Sequence, residues 1–242
     1  MKRGGVDQVR VQAVVFDLFN TLTAPVDDEV YMASIRAMGL AAGVDPDGFT
    51  RGWFDLWRER FDGTFGTPDD DVRGVCAAME APVEAAAVER AVEIREQSLR
   101  NTLKPRADAV ATLARLRALG FKTALISDCS ADLPNLWPTT PYAALIDVPV
   151  FSCVEGLIKP DPRIYRRACE RLGSAAENCV YVGDGGNHEL TGAMRVGMRA
   201  VLITTPEERA AAYDRSERRS WRGEAIEALS ELPKLIADGR RT

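Results

Sequence analysis

Four places in this chain put a reactive side chain where an apolar run stops. In Ala13-Val14-Val15-Phe16-Asp17-Leu18-Phe19-Asn20-Thr21-Leu22-Thr23, a β-branched run delivers the carboxylate of Asp17, and Asn20 and Thr21 supply a turn and a hydroxyl behind it. Ala124-Leu125-Ile126-Ser127 ends in a hydroxyl, with Asp128 and Cys129 next in line. Lys159 stands in Gly156-Leu157-Ile158-Lys159-Pro160-Asp161-Pro162, and Val180-Tyr181-Val182-Gly183-Asp184-Gly185-Gly186-Asn187-His188-Glu189 runs into an acidic, glycine-rich loop. A carboxylate with a reference pKa of ~3.9 is ionised at neutral pH and can attack an electrophile. Hydroxyl and ammonium groups can stabilise developing negative charge, and one or two carboxylates suffice for a hard cation such as Mg²⁺. Each stretch alone has a plainer use, since an aspartate at a strand end also caps a turn.

Such side chains need strands to carry them and helices to cover those strands. Apolar runs predict strands over about Val11 to Phe16, Phe121 to Ile126, near Val148 to Phe151, Cys179 to Val182 and Ala200 to Ile203. Helical spacing separates them. Val110, Leu113, Leu116 and Leu119 stop at Gly120, and Asp161 with Pro162 starts a helix through Ile164, Ala168 and Leu172 to Gly173. A third helix takes Leu190, Ala193 and Met194. Alternating strands and helices predict an α/β fold with a parallel sheet covered on both faces, whose ligands sit outside the carboxyl ends of the strands. Glu207 to Arg222 is dense in charge and reads as a solvated helical or mobile face. Ile226, Leu229, Leu232 and Ile236 read as a tail helix kinked at Pro233, while residues 1–10 and Arg240-Arg241-Thr242 are expected to fray.

Between the first motif and Leu103-Lys104-Pro105-Arg106 the pattern is helical throughout. Tyr31, Ile35 and Met38 share one spacing, and Trp53, Trp57 and Phe61 recur every four residues with Phe54 and Phe65 alongside. Asp69-Asp70-Asp71 is a helix-entry cluster, and Val83 to Leu99 is Ala- and Glu-rich. The aromatic stripe reads as this insertion's own core. Arg51, Arg58 and Arg60 are candidates for gripping an anion.

Composition narrows the function class. The 242 residues can bury a real core, and a net charge of −5 gives no basic face for nucleic acid. No apolar run approaches the ~20 residues that span a bilayer, and Met1 to Gly5 lacks the apolar segment of a signal peptide. The five cysteines, Cys76, Cys129, Cys153, Cys169 and Cys179, are odd in number and scattered. They fit a reducing cytoplasm better than a disulfide framework or a zinc site.

Asp, then Ser, then Lys, then Gly-Asp, each behind its own strand, resembles the haloacid dehalogenase-like (HAD) hydrolase superfamily over Val11 to Ile236. The resemblance implies a parallel-sheet, Rossmann-like core of residues 1–24 and 105–242 and an inserted all-helical cap over 25–104. It implies catalytic roles for Asp17, Ser127 and Lys159, with Phe19, Asn20, Thr21 and Asp128 at the substrate. It also implies Mg²⁺ on Asp17, the Phe19 carbonyl and Asp184, with Glu189 binding directly or through water and Asn187 or His188 as alternatives.

One departure matters. Phosphatases of this superfamily carry a second aspartate two residues after the nucleophile, where it protonates the leaving oxygen, and here that residue is Phe19. A general-acid factor of ~10²–10⁴ is therefore missing. The sequence-level expectation is a Mg²⁺-dependent hydrolase that makes an aspartyl-phosphate at Asp17 from a small anionic substrate with a good leaving group, in a monomer or homodimer. The alternatives are 2-haloacid dehalogenation, because dehalogenases of the superfamily carry an aromatic residue at that position, and a catalytically weak ligand-binding member.

Overall fold

The computed structural model describes residues 11–206, 208 and 217–238; residues 1–10, most of 207–216 and the last four lie outside that set. Six parallel strands form one sheet in the order β3-β2-β1-β4-β5-β6, with β1 Ala13–Phe16, β2 Lys122–Ser127, β3 Val148–Phe151, β4 Cys179–Gly183, β5 Arg199–Ile203 and β6 Glu224–Ile226. β1 is central, and its Phe16 lies in register with Leu125 on one side and Val182 on the other.

Both faces of the sheet are covered, which is why its strands read as continuous apolar runs. Side chains alternate across each strand. Val14 and Phe16 enter one core with Leu125, Val180 and Val182. Ala13 and Val15 enter the other with Ala124, Ile126 and Tyr181. Helix α6 (Ala109–Ala118) and the C-terminal helix Leu232–Asp238 feed the first core through Leu113, Leu116 and Ile236. Helices α9 (Pro162–Leu172) and α10 (Glu189–Arg195) feed the second through Ile164, Ala168 and Ala193. As expected, Asp161 caps α9, with its side chain accepting from Arg163 N, and Gly173 ends it at φ 61°.

The segment between β1 and α6 folds as helices α1 (Asp28–Ala42), α2 (Pro46–Asp55), α3 (Trp57–Phe61), α4 (Pro68–Ala78) and α5 (Ala85–Thr102). They close around a third apolar cluster that includes Ile35, Met38, Phe49, Trp53, Val75 and Val88. Phe49 and Trp53 stack with ring centroids 6.0 Å apart, and each such buried side chain is worth about 1.5–3 kcal/mol. Chain entry and exit lie side by side: Ala24 N donates to Lys104 O at 2.9 Å and Arg106 N to Leu22 O at 2.9 Å. Thr23 and Pro105 make an antiparallel bridge between them. No helix of the described residues is long and apolar enough to cross a membrane.

The last forty residues correct the sequence reading in three ways. Ile226 belongs to a short edge strand, not a helix; a sheet edge offers three residues a backbone ladder, continued where Thr204 N donates to Ile226 O at 3.0 Å. Pro233 sits in the first turn of the final helix and so makes no kink. Of the segment expected to be a solvated face, residues 217–220 are a turn and Glu217 is buried, because it accepts from Leu190 N at 2.8 Å and Thr191 N at 2.9 Å. The rest of that segment, apart from 208, 221 and 222, lies outside the described residues.

Candidate active site

Chain order fixes where a site can form. From β1 the chain moves outward to β2 and β3, then crosses back to β4 on the other flank. The loops after β1 and β4 therefore diverge and leave a crevice at the carboxyl end of the sheet. Asp17 follows β1 and Asp184 follows β4, with Asp17 N donating to Val182 O at 2.9 Å. One carboxylate oxygen each from Asp17, Asp184 and Glu189 lies within 4.8 Å of the others, and all three residues are buried. These residues are 172 positions apart at most in sequence and meet here only because β1 and β4 are neighbours.

Lys159 enters the same crevice. Its Nζ donates to Asp17 Oδ1 at 2.6 Å and to Glu189 Oε2 at 2.6 Å, with the Tyr181 hydroxyl at 3.5 Å. Glu189 is further held by the Tyr181 hydroxyl at 2.8 Å and by Gly185 N, which donates to Oε1 at 3.0 Å. Burial alone would lower the Lys159 pKa, but Asp17 and Glu189 reverse this and hold it well above the usual value. Burial pushes Asp17 up against the pull of Lys159, and Asp184 adds to the push. Glu189 is lifted to about 8, first by burial and then by Asp17. Lysine stays charged while the carboxylates crowd one another.

The remaining expected residues fall into two kinds. Ser127 Oγ, Thr21 Oγ1 and Asn20 Nδ2 are buried with no hydrogen-bond partner among the described residues; Asn20 lines the cavity above Asp17, and Ser127 and Thr21 lie behind its wall. Asp128 is instead fully engaged: Oδ1 accepts from Lys159 N at 3.0 Å and Oδ2 from Asn187 Nδ2 at 3.1 Å. It ties the Lys159 and Asp184 loops together, and burial raises its pKa. Phe19 packs partly against the main core while facing the cavity. His188 is not among the cavity-lining residues.

Above Asp17 the crevice opens into a cavity of about 340 Å³ between the sheet and the helical insertion. The aromatic stripe splits across it. Trp53 goes into the insertion's core, whereas Phe54, Trp57 and Phe61 line the cavity. Of the three arginine candidates, Arg51 and Arg58 are exposed, and Arg60 is buried in the cavity wall. Arg60 donates to Ser130 Oγ at 3.0 Å and to Trp53 O at 2.8 Å, with its guanidinium 3.9 Å from the Trp53 ring centroid. Beside it Arg95 Nε meets Asp132 Oδ2 at 2.5 Å, linking α5 to α7 (Asp132–Leu136). Single-helix spacing gave no sign of Arg95, Asp132 or the buried Asp71, because the charges that act on them lie on other helices. Cys129 does line the cavity, and its sulfur is 3.8 Å from that of Cys153.

A last cation completes the site. Arg218 Nη2 lies 3.3 Å from Asp184 Oδ2, with both side chains almost inaccessible. The carboxylates of Asp17, Asp128, Asp184 and Glu189 gather around Lys159 and Arg218. Three buried carboxylates with oxygens this close form an all-oxygen donor set that fits a small, hard divalent cation.

A family model described as haloacid dehalogenase-like hydrolase matches residues 11–197. Among curated proteins, a glyceraldehyde 3-phosphate phosphatase of Methanopyrus kandleri is 31% identical over 80% of this chain and 84% of its own length. An (S)-2-haloacid dehalogenase 1 of a Pseudomonas species is 29% identical over 53% of this chain and 55% of its own. Among solved structures, a HAD phosphatase from Thermococcus onnurineus superposes with a TM-score of 0.65 at 22% identity, covering 96% of this chain and 100% of that one. A 2-haloacid dehalogenase from Pseudomonas syringae superposes with a TM-score of 0.70 at 22% identity, covering 94% and 99%. At such identities the two superpositions speak for the fold.

Proposed function

This chain belongs to the haloacid dehalogenase-like hydrolases, and from that premise we propose that it is a Mg²⁺-dependent phosphohydrolase acting through Asp17 on a small anionic molecule. Residues 25–104 are its cap, and the adjacent core runs over 1–24 and 105–242. The observation that carries the reading is the meeting of the buried carboxylates of Asp17, Asp184 and Glu189 within 4.8 Å of one another. Asp17, Asp184 and the Phe19 carbonyl would hold Mg²⁺, with Glu189 contributing directly or through water. When bound, the ion would offset the carboxylate charge that otherwise repels a phosphoryl dianion.

Within this reading Asp17 attacks phosphorus, the bond to the leaving oxygen breaks, and the leaving group departs with that electron pair. Water then hydrolyses the aspartyl-phosphate, which releases inorganic phosphate and restores the carboxylate. Lys159 anchors Oδ1 of Asp17 and so aims the other oxygen outward. Ser127 Oγ, which has no partner among the described residues, would donate to a phosphoryl oxygen. Phe19 can neither give nor take a proton, so the leaving group must already be a weak base, as in an acyl or aryl phosphate. The phosphatase-named relative supports this direction. The free cysteines suit a reducing, cytoplasmic setting.

Phe19 and the aromatic cavity wall favour a second reading, in which Asp17 attacks an sp³ carbon and halide leaves unprotonated. Assays of phosphate release from an aryl phosphate and of halide release from 2-chloropropionate, each with and without EDTA, separate the two. Phosphate release that stops in EDTA and returns with Mg²⁺ is expected. Halide release indifferent to EDTA, with no phosphate release, would overturn the proposal, and silence in both assays would leave a ligand-binding protein.

A further inference from the structure

The acidic end of the site is built with a cation of its own. Residues 217–218 press directly on the Asp184 loop: Glu217 N donates to Gly185 O at 3.1 Å, and the Glu217 carboxylate accepts from Leu190 N at 2.8 Å and Thr191 N at 2.9 Å. Gly185, at φ +86°, makes room for this approach, since a Cβ there would stand 3.1 Å from Arg218 N. So placed, Arg218 donates through Nη1 to Glu208 O at 2.8 Å and brings Nη2 to 3.3 Å from Asp184 Oδ2. Its side chain is 8% exposed and that of Asp184 3%. This is a fixed, buried pair, not a surface arginine that samples the carboxylate in passing.

We propose that Arg218 is a resident competitor for the divalent cation at Asp184, neutralising that carboxylate when no metal is bound and holding the affinity for Mg²⁺ down. The inference rests on the Mg²⁺ reading above. Two positive groups that share one carboxylate repel each other, and in a buried site that repulsion is poorly screened. Arg218 does not read the substrate: it is absent from the lining of the substrate cavity and lines a separate recess with Arg219, Trp221 and Arg222. It approaches Asp184 from the side of the β5–β6 segment, while Asp17 and Lys159 lie on the other. Arg218 is therefore a positioning residue, acting on the cation through Asp184.

The test is a calorimetric Mg²⁺ titration of the full chain, of Arg218→Gln, of Arg218→Lys and of Asp184→Asn. Arg218→Gln should lower the Mg²⁺ dissociation constant by about tenfold or more. Arg218→Lys, which keeps the charge, should stay within about threefold of the native chain, and Asp184→Asn should lose binding. Unchanged or weaker binding by Arg218→Gln would overturn the inference, as would equal tightening by the lysine variant. Binding by the native chain without tightening in Arg218→Gln sinks this inference alone, whereas absence of binding by both sinks the Mg²⁺ reading with it. A measurement on the native chain needs no variant: Mg²⁺ should speed amide exchange at Ser220 and Trp221, whose N–H groups bond Glu217 O. Slower exchange there would count against competition.

Discussion

Replacing Asp71 tests the electrostatics beneath the helical insertion. The residue is 1% exposed, and its Oδ1 accepts no hydrogen bond among the described residues. Burial lifts its pKa to about 7, against the pull of Arg60 on α3 and Arg95 on α5, with a push from Asp132 on α7 and from neighbouring Asp70. A carboxyl whose folded pKa exceeds its unfolded value of ~3.9 contributes stability that is complete below about pH 4 and is lost as pH climbs towards 7. Three pH units correspond to about 4 kcal/mol as a ceiling, and relaxation around a partly polar site brings that to about 2 kcal/mol. Asp71→Asn keeps the shape and removes the titration. At pH 8 the variant should be the more stable by about 2 kcal/mol, or about 6 °C in Tm for a chain of this size, and near pH 4.5 the two should almost coincide. Urea and thermal melts followed by circular dichroism across pH 4.5–8 measure both. A variant less stable than the native chain at pH 8 would show that ionised Asp71 is a working partner of Arg60 and would refute the reasoning.

Lys159→Met leaves Asp17 and Glu189 buried without their shared cation, so a loss of about 3 kcal/mol in urea melts is expected. Phosphate release should fall by about 10²-fold or more, and native rates in that variant would contradict the placement. Phe19→Asp supplies the missing proton donor. It should raise turnover of alkyl phosphates by about 10²-fold with little change for aryl phosphates, and an equal effect on both would argue against a leaving-group role for position 19. Gly185→Ala meets a left-handed backbone and the Arg218 amide at 3.1 Å, for an expected cost of about 1–2 kcal/mol. An unaltered Tm would show that the Glu217–Arg218 turn is not held against this loop.

Legibility in the sequence followed the length of the apolar run. β1, β2, β4 and β5 are central, buried on both faces and four to six residues long, so each stood out, and the first three end where Asp17, Ser127 and Asp184 appear. β6 did not stand out, because three residues at a sheet edge carry too little pattern and Ile226 matched a helical spacing equally well. Lys159 was visible from its own motif. Its partner Tyr181 sat unremarked inside a strand, since inward-facing tyrosines look like core until a charge is found on the hydroxyl. Arg95 pairs with Asp132, and Arg60 and Asp71 feel that pair from two further helices, so no local periodicity couples the four. Arg218 was hidden by company: in a run dense with arginine and glutamate, nothing local marks which residue turns inward.

The isolated bridge between Thr23 and Pro105 carries a consequence for evolution and for engineering. Because both crossings meet at one spot, tied by Ala24 to Lys104 and Arg106 to Leu22, a short linker would span the gap left by removing the helices between them. The module above the crevice is in that sense interchangeable: a transplanted one would inherit the same reactive floor and bring its own taste in substrates.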